Sequence, residues 1–230
     1  GGSAVANPTD ALYRAYTVSS GETEGTDYRE WPTQLGAPAQ ANGEPYFYGR
    51  KQMFWVMNDL DTAAMEANNG GLPMGLEMHC LLYEPWSGDA RENTLLLQVT
   101  YINKGTSVIG DAYAGYYMDM DVRYGRDNLA GSDSLRGMVY SYSAGRNPSE
   151  EGMPAAFGLV MLQTPAVNAP GERARWSVGW KENARNIPIT AAVSPIKASS
   201  SPIREPRSGY DVDLWSSLMV GRGEFDTRVV

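Results

Sequence analysis

The stretch Met74-Gly-Leu-Glu-Met-His-Cys-Leu-Leu-Tyr83 decides the fold class. Apolar side chains at every second position from Leu76 to Leu82 fall on one face of an extended chain, and Glu77 and His79 fall on the other. A period of two residues is the pattern of a half-buried β-strand.

Further stretches on both sides of this strand have a similar character. The predicted strands cover residues 46–58, 74–83, 94–102, 112–121, 137–142 and 156–163. The chain also holds 25 Gly and 14 Pro, which favour turns over long helices. Strands of this length joined by turn-rich loops predict a mainly β fold, an antiparallel β-sandwich with long loops.

The two ends of the chain differ from this central part. Residues 1–45 are polar and rich in turn residues, and they predict an irregular N-terminal arm that Trp31 and Leu35 anchor to the core. We expect the sandwich domain to span residues 46–230. Its part from about residue 165 is predicted to be loosely structured, because prolines at positions 170, 188, 195, 202 and 206 interrupt it.

The composition excludes several classes of protein. The chain carries 27 acidic and 19 basic side chains, a net charge of −8, so it lacks the positive surface that a nucleic-acid backbone requires. Six Trp, fourteen Tyr and four Phe argue against a disordered chain. With Cys80 as the only cysteine and His79 as the only histidine, neither a disulfide scaffold nor a Cys/His zinc site can form.

No apolar run approaches the roughly 20 residues of a membrane span, so we expect no membrane insertion. Residues 1–5 do not resemble a signal peptide. We therefore expect the chain to be a processed product or a fragment of a longer protein.

The segment from residue 119 to residue 133 contains the most specific candidate binding site in the sequence. Five side chains with oxygen ligands lie within it, and they are Asp119, Asp121, Asp127, Asn128 and Asp133. Calcium takes six to eight oxygen ligands from such groups. Gly125 and Gly131 would allow two bends that bring the ligands together, and a bound Ca²⁺ would relieve the repulsion among the carboxylates.

A solvated acidic turn is the alternative interpretation of this segment, with Arg123 and Arg126 pairing with the acids. The helix–loop–helix calcium motif does not fit, because its later Asp/Asn and Glu positions are absent. Mg²⁺ is less suited than Ca²⁺, because it keeps several of its waters and seldom uses a cage made only of protein groups.

Several short motifs occur in an order that resembles one family of proteins. They are Asn58-Asp59, residues 71–77, residues 101–105, the acidic segment 119–133, residues 152–158 and Gln163-Thr-Pro165. Together they resemble large secreted or cell-surface proteins of Bacteroidetes-related bacteria, many of them exported by type IX secretion with a C-terminal sorting domain. The resemblance covers roughly residues 31–165, and no sorting domain is recognisable in this sequence.

The resemblance implies a secreted or cell-surface location and a divalent-cation loop on the same five residues. Three positions depart from the family pattern. Val122-Arg123-Tyr124 precede Gly125 where the family has an earlier glycine, Asn128 replaces the second carboxylate of an Asp-Asp pair, and Ser132 stands where a cysteine is common. These departures bear on the affinity of the loop for its cation.

Catalytic interpretations find little support in the sequence. No Gly-x-Ser-x-Gly elbow is present, and neighbours such as His79 and Cys80 face opposite ways in a strand. We expect His79 to be a strand histidine paired with Glu77. A glycosidase would need two carboxylates in a cleft, and the candidates are Glu77, Glu84, Asp111 and Asp119.

The sequence therefore predicts a non-catalytic extracellular or cell-surface module with a structural or adhesive role, stabilised by one calcium ion. A carbohydrate-binding module or a glycan-degrading enzyme is the first alternative, with Trp86, Tyr116 or Trp180 as a sugar-binding face. A subunit of a surface filament or sheath is the second. Expected partners are further copies of the chain, other cell-surface proteins or glycans.

Overall fold

The computed structural model describes residues 12–63, 65, 72–86, 88, 91–110, 112–118, 121–123, 128–133, 135–144, 155–176 and 179–192. Within these residues the chain forms nine strands in three antiparallel sheets. The prediction of a mainly β, antiparallel chain with long loops is thereby confirmed. The chain divides into two compact units, Gly1–Ala112 and Tyr113–Val230.

The first unit is built on a four-stranded sheet. Its strands are β1 (Tyr16–Ser19), β2 (Lys51–Asn58), β3 (Leu76–Glu84) and β4 (Leu96–Asn103), in the order β1-β2-β3-β4. The stretch quoted first thus forms a central strand, and every neighbouring pair is antiparallel. The boundary predicted at residue 45 lies inside this unit, and β1, within the predicted arm, pairs with β2.

One face of this sheet packs under the segment between β1 and β2. Tyr16, Phe54 and Leu81 lie in register across three strands and are buried, and Trp31 packs on them with its ring centre 6.0 Å from that of Phe54. The Trp31 indole N–H donates to the carbonyl of Pro38 at 2.8 Å, which holds the covering segment in place. The predicted anchoring role of Trp31 is confirmed.

A buried amide fastens the end of the same covering segment to β2. Gln52 is almost completely buried, yet both ends of its side chain are hydrogen-bonded. Its Nε2 donates to the carbonyl of Tyr46 at 2.8 Å, and its Oε1 accepts from the backbone N–H of Tyr48 at 3.2 Å. Because a buried polar group costs free energy unless it is paired, these bonds specify where the segment crosses the sheet.

Helical structure among the described residues consists of short segments, including α1 (Thr26–Arg29) and a 3-10 turn at Thr33–Leu35. None of the described helices has the length and apolar character needed to cross a bilayer.

The second unit contains two separate sheets. Strands β5 (Asn128–Asp133), β6 (Met138–Ser143) and β7 (Ala156–Val160) form one sheet in that order. Strands β8 (Ala166–Trp176) and β9 (Gly179–Asn186) form a two-stranded ribbon. The strand predicted over 112–121 is wrong for residues 112–118, which have no strand structure. Alternation alone did not make a strand there, because a strand also needs a neighbour to pair with.

The ribbon lies within the part that is predicted to be loosely structured, and the sequence pattern does not indicate it. An irregularity between Asn168 and Arg173 interrupts the pairing. Gly171 has a φ of +83°, and its N–H donates to Oδ1 of Asn183 at 3.0 Å, where Asn183 itself has a φ of 55°. Residues 193–230, which include the rest of the predicted C-terminal part, lie outside the described residues.

Candidate functional site

The predicted calcium ligands fall partly within the described residues. Asp121, Asn128 and Asp133 are described, whereas Asp119 and Asp127 lie outside. Asp121 is exposed in the loop that precedes β5, Asn128 is the first residue of β5, and Asp133 is the last.

The structure brings Asp121 and Asn128 close together. The Asn128 side chain accepts from the backbone N–H of Val122 at 2.7 Å and donates to the carbonyl of Val122 at 2.7 Å. These two hydrogen bonds hold the backbone of Val122 beside Asn128, as the predicted return of the chain requires. Because one of these bonds occupies the amide oxygen of Asn128, the main role of this side chain is to fix the backbone of Val122.

Asp133 lies at the far end of β5 and has another role. Five residue steps along a strand span about 17 Å, so one ion cannot contact the side chains of both Asn128 and Asp133. Asp133 accepts from the backbone N–H of Arg136 at 3.1 Å and pairs with its guanidinium at 2.5 Å. Hydrogen bonding to Arg136 lowers the pKa of the Asp133 carboxyl and holds the β5–β6 turn together.

Gly131 does not provide the predicted bend, because it lies inside β5. It faces Tyr140 on β6, and a Cβ placed on Gly131 would come within 2.6 Å of the Tyr140 ring and hydroxyl. The glycine is thus needed for close packing of an aromatic ring over the strand. Because β5 pairs with β6 without interruption from Asn128 to Asp133, Asp133 lies far from the residues that precede Asn128.

Among the residues that the structure describes, no group of three or more His, Cys, Asp or Glu side chains is placed to hold a metal ion. Two of the four predicted carboxylates are outside this set, so calcium binding stays a prediction.

Comparison of the chain with protein-family models, with curated proteins and with solved structures finds no match. The resemblance to proteins of type IX secretion, and the location it implies, therefore stay predictions.

His79 is held in a network of contacts in the first unit. Its Nε2 lies 2.8 Å from Oε1 of Glu77, and the ammonium of Lys104 lies 3.4 Å from the same oxygen. Its ring meets Phe54 edge-on at 6.0 Å and packs against Gly36. The predicted pairing of His79 with Glu77 is confirmed, and these contacts give the imidazole a structural role.

Cys80 lies in a position that makes its thiol unreactive. It is 2% exposed, and burial raises the pKa of the thiol. Because the thiolate is the reactive form, a raised pKa lowers reactivity at neutral pH.

The ribbon presents a surface of exposed tryptophans and cations. Trp180 is 56% exposed, and the guanidinium groups of Arg173 and Arg175 lie 5.2 Å and 5.3 Å from its ring centre. Trp176 is 46% exposed, with the Lys181 ammonium 4.6 Å from its ring. Trp180 is recognisable from the sequence as a candidate sugar-binding residue, but its cationic neighbours are not, because the strand pairing brings them to it.

Because side chains alternate between the two faces of a strand, these residues are distributed over both faces of the ribbon. Arg175 is directly opposite Trp180, so both lie on one face, which Arg173 shares. Lys181 is opposite Ala174 and lies on the other face with Trp176. We call the first group, Arg173, Arg175 and Trp180, the Trp180 face.

Proposed function

We propose that this chain is a non-catalytic extracellular or cell-surface module with a structural or adhesive role, stabilised by a calcium ion. One observation carries the proposal: large apolar side chains are exposed on all three sheets. Examples are Leu97 on the first sheet, Phe157 on the second and Trp180 on the ribbon. Exposed apolar sheet surfaces are typical of proteins that pack against other macromolecules.

The contacts of the two most reactive side chain types support a non-catalytic role. His79 is engaged by Glu77, Phe54 and Gly36, and Cys80 is buried with a raised pKa. A general base or a nucleophile must instead reach a substrate. Both residues serve the first sheet.

The calcium part of the proposal is supported by the position of Asp121 before β5. Asn128 binds both backbone groups of Val122 and so keeps Asp121 close to the start of β5. We propose Asp119, Asp121 and Asp127 as the carboxylate ligands. Asp133 is left out of the set, because it lies at the other end of β5 and pairs with Arg136.

Thermal unfolding of chelator-treated protein with and without Ca²⁺ tests this assignment. Since a ligand that binds only the folded state stabilises it, saturating Ca²⁺ should raise the Tm by several degrees. Asp121→Asn should abolish most of this rise. Asp133→Asn is the matched control, and it should keep the rise although it loses the Arg136 pair. A wild-type Tm that does not respond to Ca²⁺ would refute the calcium site.

Carbohydrate binding is the second candidate, and the exposure of Trp176 and Trp180 favours it. A tryptophan face can stack on a sugar ring, and the guanidinium of Arg175 suits a sugar carboxylate, whereas Arg173 pairs with Glu182 on the same face at 2.8 Å. The ribbon carries four basic and two acidic side chains in a chain whose net charge is −8. An acidic polysaccharide therefore fits this face better than a neutral one.

Retention on polygalacturonate compared with cellulose tests this candidate. Trp180→Ala should weaken retention at least about tenfold, the effect of 1.4 kcal/mol. Arg175→Gln should reduce the preference for the acidic polymer. Trp86→Ala is the matched control, because Trp86 is exposed to a similar extent but belongs to the first unit. Equal losses for Trp180→Ala and Trp86→Ala would argue against the ribbon as the binding surface.

A further inference from the structure

The second face of the ribbon carries a tryptophan and a cation of its own. Trp176 and Lys181 lie on the side opposite the Trp180 face. Ala174 and Gly179 complete this side, which we call the Trp176 face. The ring of Trp176 is 46% exposed, and the Lys181 ammonium lies 4.6 Å from its centre. An exposed indole beside a cation is therefore present on both faces of one two-stranded ribbon.

Two small residues leave the Trp176 face open around the ring. Gly179 is directly opposite Trp176, and a Cβ added to it would meet no atom of a non-adjacent residue within 4 Å. Ala174, which is opposite Lys181, is completely buried and adds no exposed surface. The exposed side-chain groups of this face are therefore one indole ring and one ammonium, with free space beside the ring.

The charge of the Trp176 face suits an anionic ligand. Its four residues include one cation and no carboxylate. On the side of the Trp180 face, by contrast, Glu182 pairs with Arg173 at 2.8 Å and neutralises that guanidinium. Because a hydrogen bond between charged groups is stronger than a neutral one, an acidic sugar can place its carboxylate at Lys181 while its ring stacks on Trp176.

We propose that the Trp176 face is a second binding site for an acidic polysaccharide, so that one copy of the chain joins two polysaccharide strands. The two faces of a ribbon point in opposite directions, so the strands bound to them do not compete for the same space. Two linked sites on one molecule bind a polymer more strongly than either site alone. The inference rests on carbohydrate binding, the second candidate function, and it explains how a single chain could be adhesive.

Equilibrium dialysis of the full chain against trigalacturonate, an acidic trisaccharide, counts the binding sites. We expect the wild type to bind two equivalents per chain at saturation. Trp176→Ala and Trp180→Ala should each bind one equivalent, and the double variant should bind none. Trp86→Ala is the matched control, because Trp86 is exposed to a similar extent in the first unit, and it should bind two.

Two milder variants test the same face if Trp176→Ala does not fold. Gly179→Thr adds a side chain beside the Trp176 ring, in a strand where threonine is favourable, and it should bind one equivalent. Lys181→Gln should weaken binding at this site at least about tenfold, as expected for the loss of a hydrogen bond to a charged group. Lys51→Gln is its matched control, because it makes the same change of charge on β2.

Light scattering tests whether the two sites bridge polysaccharide strands. Adding the wild type to polygalacturonate should raise the scattered intensity to a maximum and then lower it, because excess protein saturates each strand separately. Trp176→Ala still binds through the Trp180 face, but it should give no such maximum.

The outcomes separate this inference from the candidate function on which it rests. Two equivalents that fall to one in Trp176→Ala, together with loss of the scattering maximum, support the second site. A single equivalent that Trp180→Ala alone removes overturns the second site and leaves carbohydrate binding at the Trp180 face standing. A wild type that binds no trigalacturonate overturns both. A scattering maximum that persists in Trp176→Ala overturns bridging through this face.

Discussion

Gly36 joins two features of the first unit, the end of the 3-10 turn and the His79 ring. Its φ is +89°, and a Cβ added there would lie 2.8 Å from Nδ1 of His79. The ring cannot easily retreat, because Glu77 and Phe54 hold it. We predict that Gly36→Ala lowers the free energy of unfolding by about 2–4 kcal/mol, from the positive φ and from overpacking. Urea denaturation measures this change.

Gly43→Ala is the control for this prediction. Gly43 has nearly the same φ, +87°, but an added Cβ would meet nothing within 4 Å. It should therefore lose only the backbone part, about 1 kcal/mol. Equal losses at the two glycines would mean that the His79 ring can move, and the contact would then not be a fixed part of the core.

Local side chain pairs could be predicted from the sequence, whereas distant ones could not. Glu77 and His79 are two residues apart, so a strand places them on one face, and the pair was predicted. The contact of His79 with Gly36 joins positions 43 residues apart, and no local pattern encodes it. The acidic spacing groups Asp133 with the other predicted calcium ligands, because spacing alone does not show that the residues before it form strand β5.

Strands rich in apolar residues were predicted from the sequence, whereas the two strands of the ribbon were missed. The predicted strands at 74–83 and 94–102 correspond to β3 and β4, but the buried cluster takes Leu81 from the face of β3 that also carries Glu77 and His79, which is not the predicted apolar face. In β8 and β9, charged residues and tryptophans lie on both faces, and Gly171 and Asn183 interrupt the period. The pattern that marks a half-buried strand is therefore absent from the ribbon, although its pairing is extensive.

The loop before β5 shows the same limit at the candidate metal site. Clustering of acidic residues predicted where a cation could bind, and the return of Asn128 to Val122 agrees with the predicted loop. The sequence did not reveal that β5 follows at once and separates Asn128 from Asp133. Strand β5 depends on pairing with β6 and on Gly131 fitting under Tyr140, which are contacts made outside the acidic segment.

The division of the chain into two units leads to a prediction about folding. The buried cluster of the first unit lies wholly between residues 16 and 83, and it joins β1, the covering segment, β2 and β3. We therefore expect a fragment of residues 1–112 to fold on its own, with a cooperative thermal transition by circular dichroism and a shielded tryptophan fluorescence spectrum.

A fragment of residues 46–112 is the matched control, because it begins at the predicted domain boundary. It keeps β2, β3 and β4 but loses Tyr16, Val18 and Trp31, whose burial contributes about 1.5–3 kcal/mol each. Their loss approaches the whole stability of a typical domain, about 5–15 kcal/mol. We expect this shorter fragment to lack a cooperative transition. If it folds as well as 1–112, residues 1–45 are a separable arm; if only 1–112 folds, they are part of the core.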